Sequence, residues 1–265
     1  QYCPGGEQAV NVVMLGDVFG RPGRRIAAQF LPELIETYQP ILVMANGENA
    51  AGGFGLTKKV AEELFEMGIQ VLTSGNHIWD QKEMYSLIAA EPRILRPANY
   101  PPQIPGASVY IHRCPEAVVA VVNLIGRVFM GDYDCPFRTA DQILTALPED
   151  VTHVIVDFHA EATSEKIALA RYLDGRIAAL LGTHTHVQTA DEQLLPKGTA
   201  YITDVGMCGP IDSVLGVEPE TVINKFLTQL PTRFSVAKGP ACLCGVVVSL
   251  NKTGGAEGIF RLNLQ

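Results

Sequence analysis

A basic excess is missing from this 265-residue chain: 20 Lys and Arg stand against 28 Asp and Glu, a formal net charge of −8. A generic nucleic-acid binder covers itself with cations that displace phosphate counterions, so that class is excluded. A small phosphate ester is not, because bound metal ions invert a local field. Long hydrophobic runs are missing too. No stretch reaches the roughly 20 apolar residues of a membrane span, and no signal peptide is visible, so a cytoplasmic protein is expected. Cysteine is sparse. Cys3, Cys114, Cys135, Cys208, Cys242 and Cys244 suit neither a zinc ribbon nor a disulfide scaffold. Cys242-Leu243-Cys244 alternates as one face of a strand would, with a redox pair as the alternative. The opening Gln1-Tyr2-Cys3-Pro4-Gly5-Gly6 lacks Met. Residues 1–8 are read as a tag scar or N-terminal extension, and 9–265 as a single domain.

What is present is a core: 47% of residues are hydrophobic and 18% charged. Apolar runs at 10–15, 41–45 and 71–73 alternate with helical spacing over 24–38, 57–67 and 81–90. That alternation predicts a parallel sheet with crossover helices. Thr57 suits an N-cap and Gly68 a helix stop. Strands are expected at 109–112 and 118–124, joined by a turn through Cys114-Pro115-Glu116. A helix at 141–147, a strand at 152–158, a helix at 164–173 and a strand at 177–181 follow. Beyond a short run at 201–203, a helix is expected at 221–230 and mostly strand from Arg233 on. Late strands after βαβ units suggest a second sheet packed on the first, an α/β four-layer α/β/β/α sandwich.

Histidine is scarce, with six in all, and three of them fall in two short blocks: His159 in Val156-Asp157-Phe158-His159, and His184 and His186 in Leu181-Gly182-Thr183-His184-Thr185-His186. Three upstream apolar runs also end in metal-friendly residues: Gly16-Asp17, Asn46-Gly47-Glu48-Asn49 and Gly75-Asn76-His77. In open α/β sheets ligands sit beyond the carboxyl ends of strands. Each piece has a plainer reading. His184 and His186 fit two solvated loop histidines, and His159 fits a satisfied buried one. Asp17 fits a helix cap, and Glu48-Asn49 and Asn76 fit polar turns. Together, Asp17, Glu48, Asn49, Asn76, His159, His184 and His186 exceed the three or four ligands of one tetrahedral zinc. They fit two ions sharing a bridging carboxylate. A mixed N/O set without cysteine favours Fe, Mn or Zn over Mg or Ca.

The order Gly-Asp, Gly-Asn-His, lone His and Gly-Thr-His-Thr-His resembles the calcineurin-like metallophosphoesterases, and within them the bacterial YmdB-type branch. The stretches Gly16 to Arg24, Asn46 to Ala51, Gly75 to Asp80, Asp157 to Lys166 and Gly182 to Asp191 carry the resemblance. Arg96-Pro97-Ala98-Asn99-Tyr100 and Tyr201 to Met207 extend it. Most of the superfamily places a histidine where this chain has Phe19, and a bridging Asp where it has Glu48. The YmdB-type branch shares both changes, with Asn49 replacing the lost histidine. The resemblance implies one metal on Asp17, Glu48, Asn49 and His186, and a second on Glu48, Asn76, His159 and His184. It also implies a homo-oligomer, and hydrolysis of 2′,3′-cyclic nucleotides to 3′-nucleotides.

The expected reaction is attack on phosphorus by a metal-activated hydroxide, with His77 protonating the leaving alkoxide. The plainer role for His77 is a hydrogen bond that shapes the pocket. Rival functions are a broad phosphodiesterase or phosphomonoesterase, and a regulatory nucleotide-binding protein with weak turnover. The expected partner is a small cyclic nucleotide or phosphodiester, with neither a membrane nor stably bound nucleic acid. Trp79, Tyr100 and Phe129 are read as core rather than as base-stacking residues.

Overall fold

The computed structural model describes residues 10–265. The extension expected at 1–8 lies outside the described residues. Among the described residues two six-stranded sheets are present. The first contains β1 (Val10–Val18), β2 (Leu42–Asn46), β3 (Val71–Thr73), β10 (Met207–Pro210), β11 (Ala241–Leu250) and β12 (Ala256–Leu264), in the order β12-β11-β10-β1-β2-β3. The second contains β4 (Val109–Arg113), β5 (Val118–Ile125), β6 (His153–His159), β7 (Ala179–Thr183), β8 (Gln193–Leu194) and β9 (Ala200–Ile202), in the order β4-β5-β6-β7-β9-β8. β1, β2 and β3 are mutually parallel, as are β5, β6, β7 and β9. Their carboxyl ends therefore point the same way within each sheet.

Side-chain alternation shows why two sheets form. Along β1, Val13 and Leu15 enter one apolar cluster and Val12 and Met14 enter another. The first cluster joins the first sheet to α1 (Gly20–Tyr38), α2 (Lys58–Glu66) and α3 (Met84–Ala90). The second lies between the sheets, where Val12 and Met14 share a core with Val121, Ile155, Leu181 and Val246. A third joins the far face of the second sheet, through Val122, Val154 and Val156, to α4 (Pro136–Ala146) and α5 (Thr163–Leu173). Three cores separate four layers. A strand buried on both faces reads as a continuous apolar run, which is how Val12-Val13-Met14-Leu15 reads.

Thr57 caps α2, its hydroxyl accepting the Val60 N–H at 3.3 Å, and Gly68 ends that segment at φ 104°. α1 begins at Gly20, not Arg24. Gly and Pro in Gly20-Arg21-Pro22-Gly23 look like breakers, yet proline is tolerated in a first helical turn. Gly23 serves close packing, since a Cβ there would lie 2.1 Å from the Cys208 carbonyl oxygen. α4 likewise starts five residues before Asp141, with Pro136 in its first turn. The strand expected from Arg233 begins only at Ala241, after Gly239-Pro240. Before it, α6 (Pro219–Thr228) packs Val222 against Phe19, Met207 and Val217. The five described cysteines are free, and Cys242 and Cys244 lie on one strand as their spacing suggests. Among the described residues no helix is long and apolar enough to cross a membrane.

Candidate metal centre

The carboxyl ends of β1, β2, β3, β6 and β7 meet across the inter-sheet gap. Three donors mark the centre: one atom each from Glu48, His159 and His184, all within 4.8 Å of one another. His159 Nε2 lies 2.9 Å from Glu48 Oε1, 3.1 Å from Asn76 Oδ1 and 3.0 Å from His184 Nδ1. Alongside, His186 Nε2 lies 3.2 Å from the Asn49 amide nitrogen and 3.8 Å from Asp17 Oδ1. Glu48 joins the groups, with Oε1 also 3.5 Å from the Asn49 amide nitrogen. A half-turn of that amide presents its oxygen to the same point. All seven residues singled out in the sequence are thus brought together at the ends of both sheets.

The electrostatics suit cations. Asp17 is fully buried, and its Oδ1 has no hydrogen-bond partner among the described residues. Burial pushes its carboxyl up, as for a carboxylate without its counter-ion. Burial also opposes ionisation of Glu48, but the imidazole of His159 and the backbone N–H of His77 outweigh it and hold the carboxyl down at about 2. Glu48 is therefore a fixed negative charge. His184 is held down at about 3 by burial and then by His159. It stays neutral, as a metal ligand must. An orphaned buried oxygen, a buried carboxylate and facing imidazole nitrogens fit metal ions, and their mixed N/O chemistry suits transition metals.

Outer partners fix the imidazoles. Thr183 Oγ1 donates to Asp157 Oδ1 at 2.7 Å, so it accepts from His159 Nδ1 at 2.9 Å. That bond turns Nε2 inward. Burial lowers the imidazole, but the Glu48 carboxylate outweighs it and raises His159 to about 9, so a metal ion would bind there in place of the Nε2 proton. His186 Nδ1 likewise donates to the Leu215 carbonyl at 3.0 Å, freeing Nε2. The loop carrying His184 and His186 leaves β7 with both residues at positive φ, 99° and 66°. Non-glycine residues hold such angles only where the surroundings impose them. The surroundings include a buried ion pair. Lys166 Nζ donates to the Thr183 carbonyl at 2.8 Å and to Asp204 Oδ2 at 2.9 Å, with both side chains fully buried. Asp204 Oδ2 in turn accepts from the backbone N–H and hydroxyl of Thr185.

The sequence profile of YmdB-like proteins matches residues 13–262. The chain belongs to the YmdB-like family. It is 47% identical over 242 residues to the 2′,3′-cyclic-nucleotide 2′-phosphodiesterase of Bacillus subtilis, covering 91% of this chain and 92% of that protein. A crystal structure of a hypothetical protein from Thermus thermophilus superposes with a TM-score of 0.91 at 41% identity, over 97% of this chain and 100% of that one. A novel phosphatase from Mycoplasma pneumoniae superposes at 0.90 and 36% identity, over 97% and 93%. The fold is that of the calcineurin-like metallophosphoesterases.

Within this family member, Phe19 presents an aromatic edge to His186, ring centroids 5.5 Å apart. It is packing, not a ligand. Gly75 opens the loop that bears Asn76, and a Cβ there would lie 2.0 Å from His159 Cδ2. Only a glycine lets this loop cross the imidazole. His77 lies at the rim with its side chain 31% exposed. Its Nδ1 faces Asp80 Oδ2 at 2.8 Å, and its ring meets the edge of Phe54 at 5.2 Å. Its backbone N–H is bonded to Glu48 Oε2 at 3.0 Å. With Nδ1 on Asp80, Nε2 makes no hydrogen bond among the described residues. Asp80 was missed as a site residue, although its place three residues beyond His77 was the available signal. Trp79 packs on the first core, and Tyr100 is half-buried against Tyr133. Phe129 corrects the core reading, being 90% exposed at φ 61° in the loop after β5.

Proposed function

We propose that this chain is a dinuclear metal-dependent phosphodiesterase that hydrolyses 2′,3′-cyclic nucleotides to 3′-nucleotides. The observation that carries the reading is the convergence of Glu48, Asn76, His159 and His184 on one point beside an unpartnered Asp17 oxygen. The 47% identity to the Bacillus subtilis 2′,3′-cyclic-nucleotide 2′-phosphodiesterase supports the substrate. Asp17, Asn49 and His186 would hold one ion, Asn76, His159 and His184 the other, with Glu48 shared. Fe or Mn suits this donor set, with Zn as a further candidate. When bound, two such ions make water a competent nucleophile near neutral pH and clamp the attacking and leaving oxygens of an in-line displacement.

The remaining work falls to the chain. Its buried donors are positioned before substrate arrives, so little reorganisation accompanies charge development on phosphorus. The ribose 2′ oxygen leaves as a strong base and needs a proton. His77 supplies it from Nε2, while Asp80 holds Nδ1 and fixes the orientation of the ring. Two-metal chemistry on residues from both sheets uses residues 9–265 as one domain. The enzyme works in the cytoplasm as a homo-oligomer on a small cyclic nucleotide.

Product analysis tests the reading. Chromatography of 2′,3′-cyclic AMP after incubation with metal-replete protein should show 3′-AMP. Predominant 2′-AMP would overturn the assignment of the leaving oxygen. An intact substrate would overturn the activity.

A further inference from the structure

A cavity of about 590 Å³ opens beside the first turns of α1, lined by Arg21, Pro22 and Arg25, by Gly52, and by Val236, Ala237 and Lys238. Its walls are mostly backbone and aliphatic, yet three cations stand at it. None of Arg21, Arg25 and Lys238 has a carboxylate partner among the described residues. Arg25 makes a single bond, from Nη2 to the Gly239 carbonyl at 3.3 Å. Arg24, between them, is employed differently. It turns inward, to Glu63 Oε2 at 2.9 Å and the Ala50 carbonyl at 2.6 Å. Arg24 is structural, then, whereas Arg21 and Arg25 are left facing solvent and cavity. Three uncompensated positive charges in one place are conspicuous on a chain of net charge −8.

The cavity is tied to the centre through the backbone. The Asn49 carbonyl accepts from Gly20 N at 2.9 Å and from Gly53 N at 3.1 Å, joining the start of α1 to the loop that lines the cavity. Gly52 lies three residues beyond Asn49 and Arg21 four beyond Asp17, so the lining starts within roughly 10–14 Å of both. One or two nucleotide units bridge such a span. Guanidinium groups pair with phosphate oxygens in bidentate fashion, and aliphatic walls strengthen the attraction by excluding water.

We propose that this cavity binds the phosphodiester on the 5′ side of the reacting nucleotide, so that the preferred substrate class is the cyclic-phosphate end of a short oligoribonucleotide. The proposal rests on the phosphodiesterase reading above, and it refines which molecules that site accepts. A mononucleotide occupies the centre alone and leaves the cavity empty. A chain one unit longer places a second phosphate on Arg21 and Arg25. The acidic remainder of the surface gives no path for longer nucleic acid, so contact ends after that unit.

Metal-loaded wild-type protein and the double variant Arg21→Gln/Arg25→Gln are compared on adenosine 2′,3′-cyclic phosphate and on adenylyl-adenosine ending in the same cyclic phosphate. In the wild type, kcat/KM on the dinucleotide should exceed that on the mononucleotide by about tenfold at low salt, the scale of one charge-assisted contact. The variant should lose that preference and keep its mononucleotide rate. Equal rates in the wild type, or a preference that survives in the variant, would overturn the proposal. If neither substrate is turned over, the phosphodiesterase reading fails. Calorimetric binding of the dinucleotide and mononucleotide 3′-phosphates then tests the cavity by itself. A dinucleotide advantage of about tenfold that disappears in the variant upholds the phosphate site, and the same affinity in both proteins removes it.

Discussion

Glu48 is the residue on which the centre turns. Its two oxygens face different partners, Oε1 the imidazole of His159 and Oε2 the backbone N–H of His77. Glu48→Gln keeps the shape and removes the shared charge. Elemental analysis should then show fewer than two ions per chain, and activity should fall by more than ~100-fold, beyond what outer-partner changes cost. Two ions retained with full activity would refute a bridging role. His77 separates from the ligands by the same kind of test. His77→Ala should lower kcat ~10²–10⁴-fold on a nucleotide. The loss should be far smaller on an activated aryl ester, whose leaving group needs no proton, with metal content unchanged. Equal losses on both substrates would make His77 structural. At this scale the sequence was informative where chemistry was local. Asp17, Glu48, Asn76 and the three histidines each end an apolar run, so their place beyond a strand could be read. Lys166 and Asp204 could not be read, because 38 residues separate them and nothing in Ser164-Glu165-Lys166 distinguishes a buried lysine from a solvated one.

The element that repays study is the loop after β7. His184 and His186 hold left-handed backbone angles, and the Lys166–Asp204 pair grips the Thr183 carbonyl before them and Thr185 between them. Lys166→Met strands a buried carboxylate, and breaking a buried pair this way costs about 3–5 kcal/mol. Chemical denaturation should show that loss, with metal affinity ~10–100-fold weaker. Adding Asp204→Leu removes the orphaned charge and should restore much of the stability. Affinity should not return, since Asp204→Leu also removes the acceptor of Thr185. Recovery of both together would mean that the pair serves folding alone. Element boundaries were legible where capping chemistry spoke, as at Thr57 and Gly68. They were misplaced where glycine and proline suggested a break, as at Gly20 to Gly23. There the packing of Gly23 beneath the Cys208 carbonyl decides the matter, and that contact joins residues 185 positions apart.

The whole molecule joins two sheets at one end through side chains rather than strands. Asp17, Glu48 and Asn76 come from the first sheet, His159, His184 and His186 from the second. Bound ions would therefore tie the layers together. At a hundredfold excess over Kd, a ligand adds about 2.7 kcal/mol, or roughly 5–10 °C in Tm for a domain of this size. Scanning calorimetry of chelator-treated and Mn-loaded protein checks this, and an unchanged Tm would mean that the ions do not bind across the gap. The four-layer arrangement was legible because strands return late in the chain, after the βαβ units, and need a second sheet to join. The strand order was not. That β11 returns to lie beside β1 is a pairing across the length of the chain, with Val10 opposite Leu250.

That pairing bears on the order of events during synthesis. The last of the seven metal-binding candidates, His186, leaves the ribosome while β11 is still unmade. β1, which carries Asp17, then has β2 at one side and an open edge along Val10 to Leu15 at the other. An unpaired strand edge is sticky and a long-range pairing is slow to form. The nascent chain thus owns every donor well before it owns the scaffold that holds them apart. Metal acquisition is therefore expected of the finished polypeptide alone, and a chain truncated before Ala241 should carry every ligand yet show no bound metal on elemental analysis.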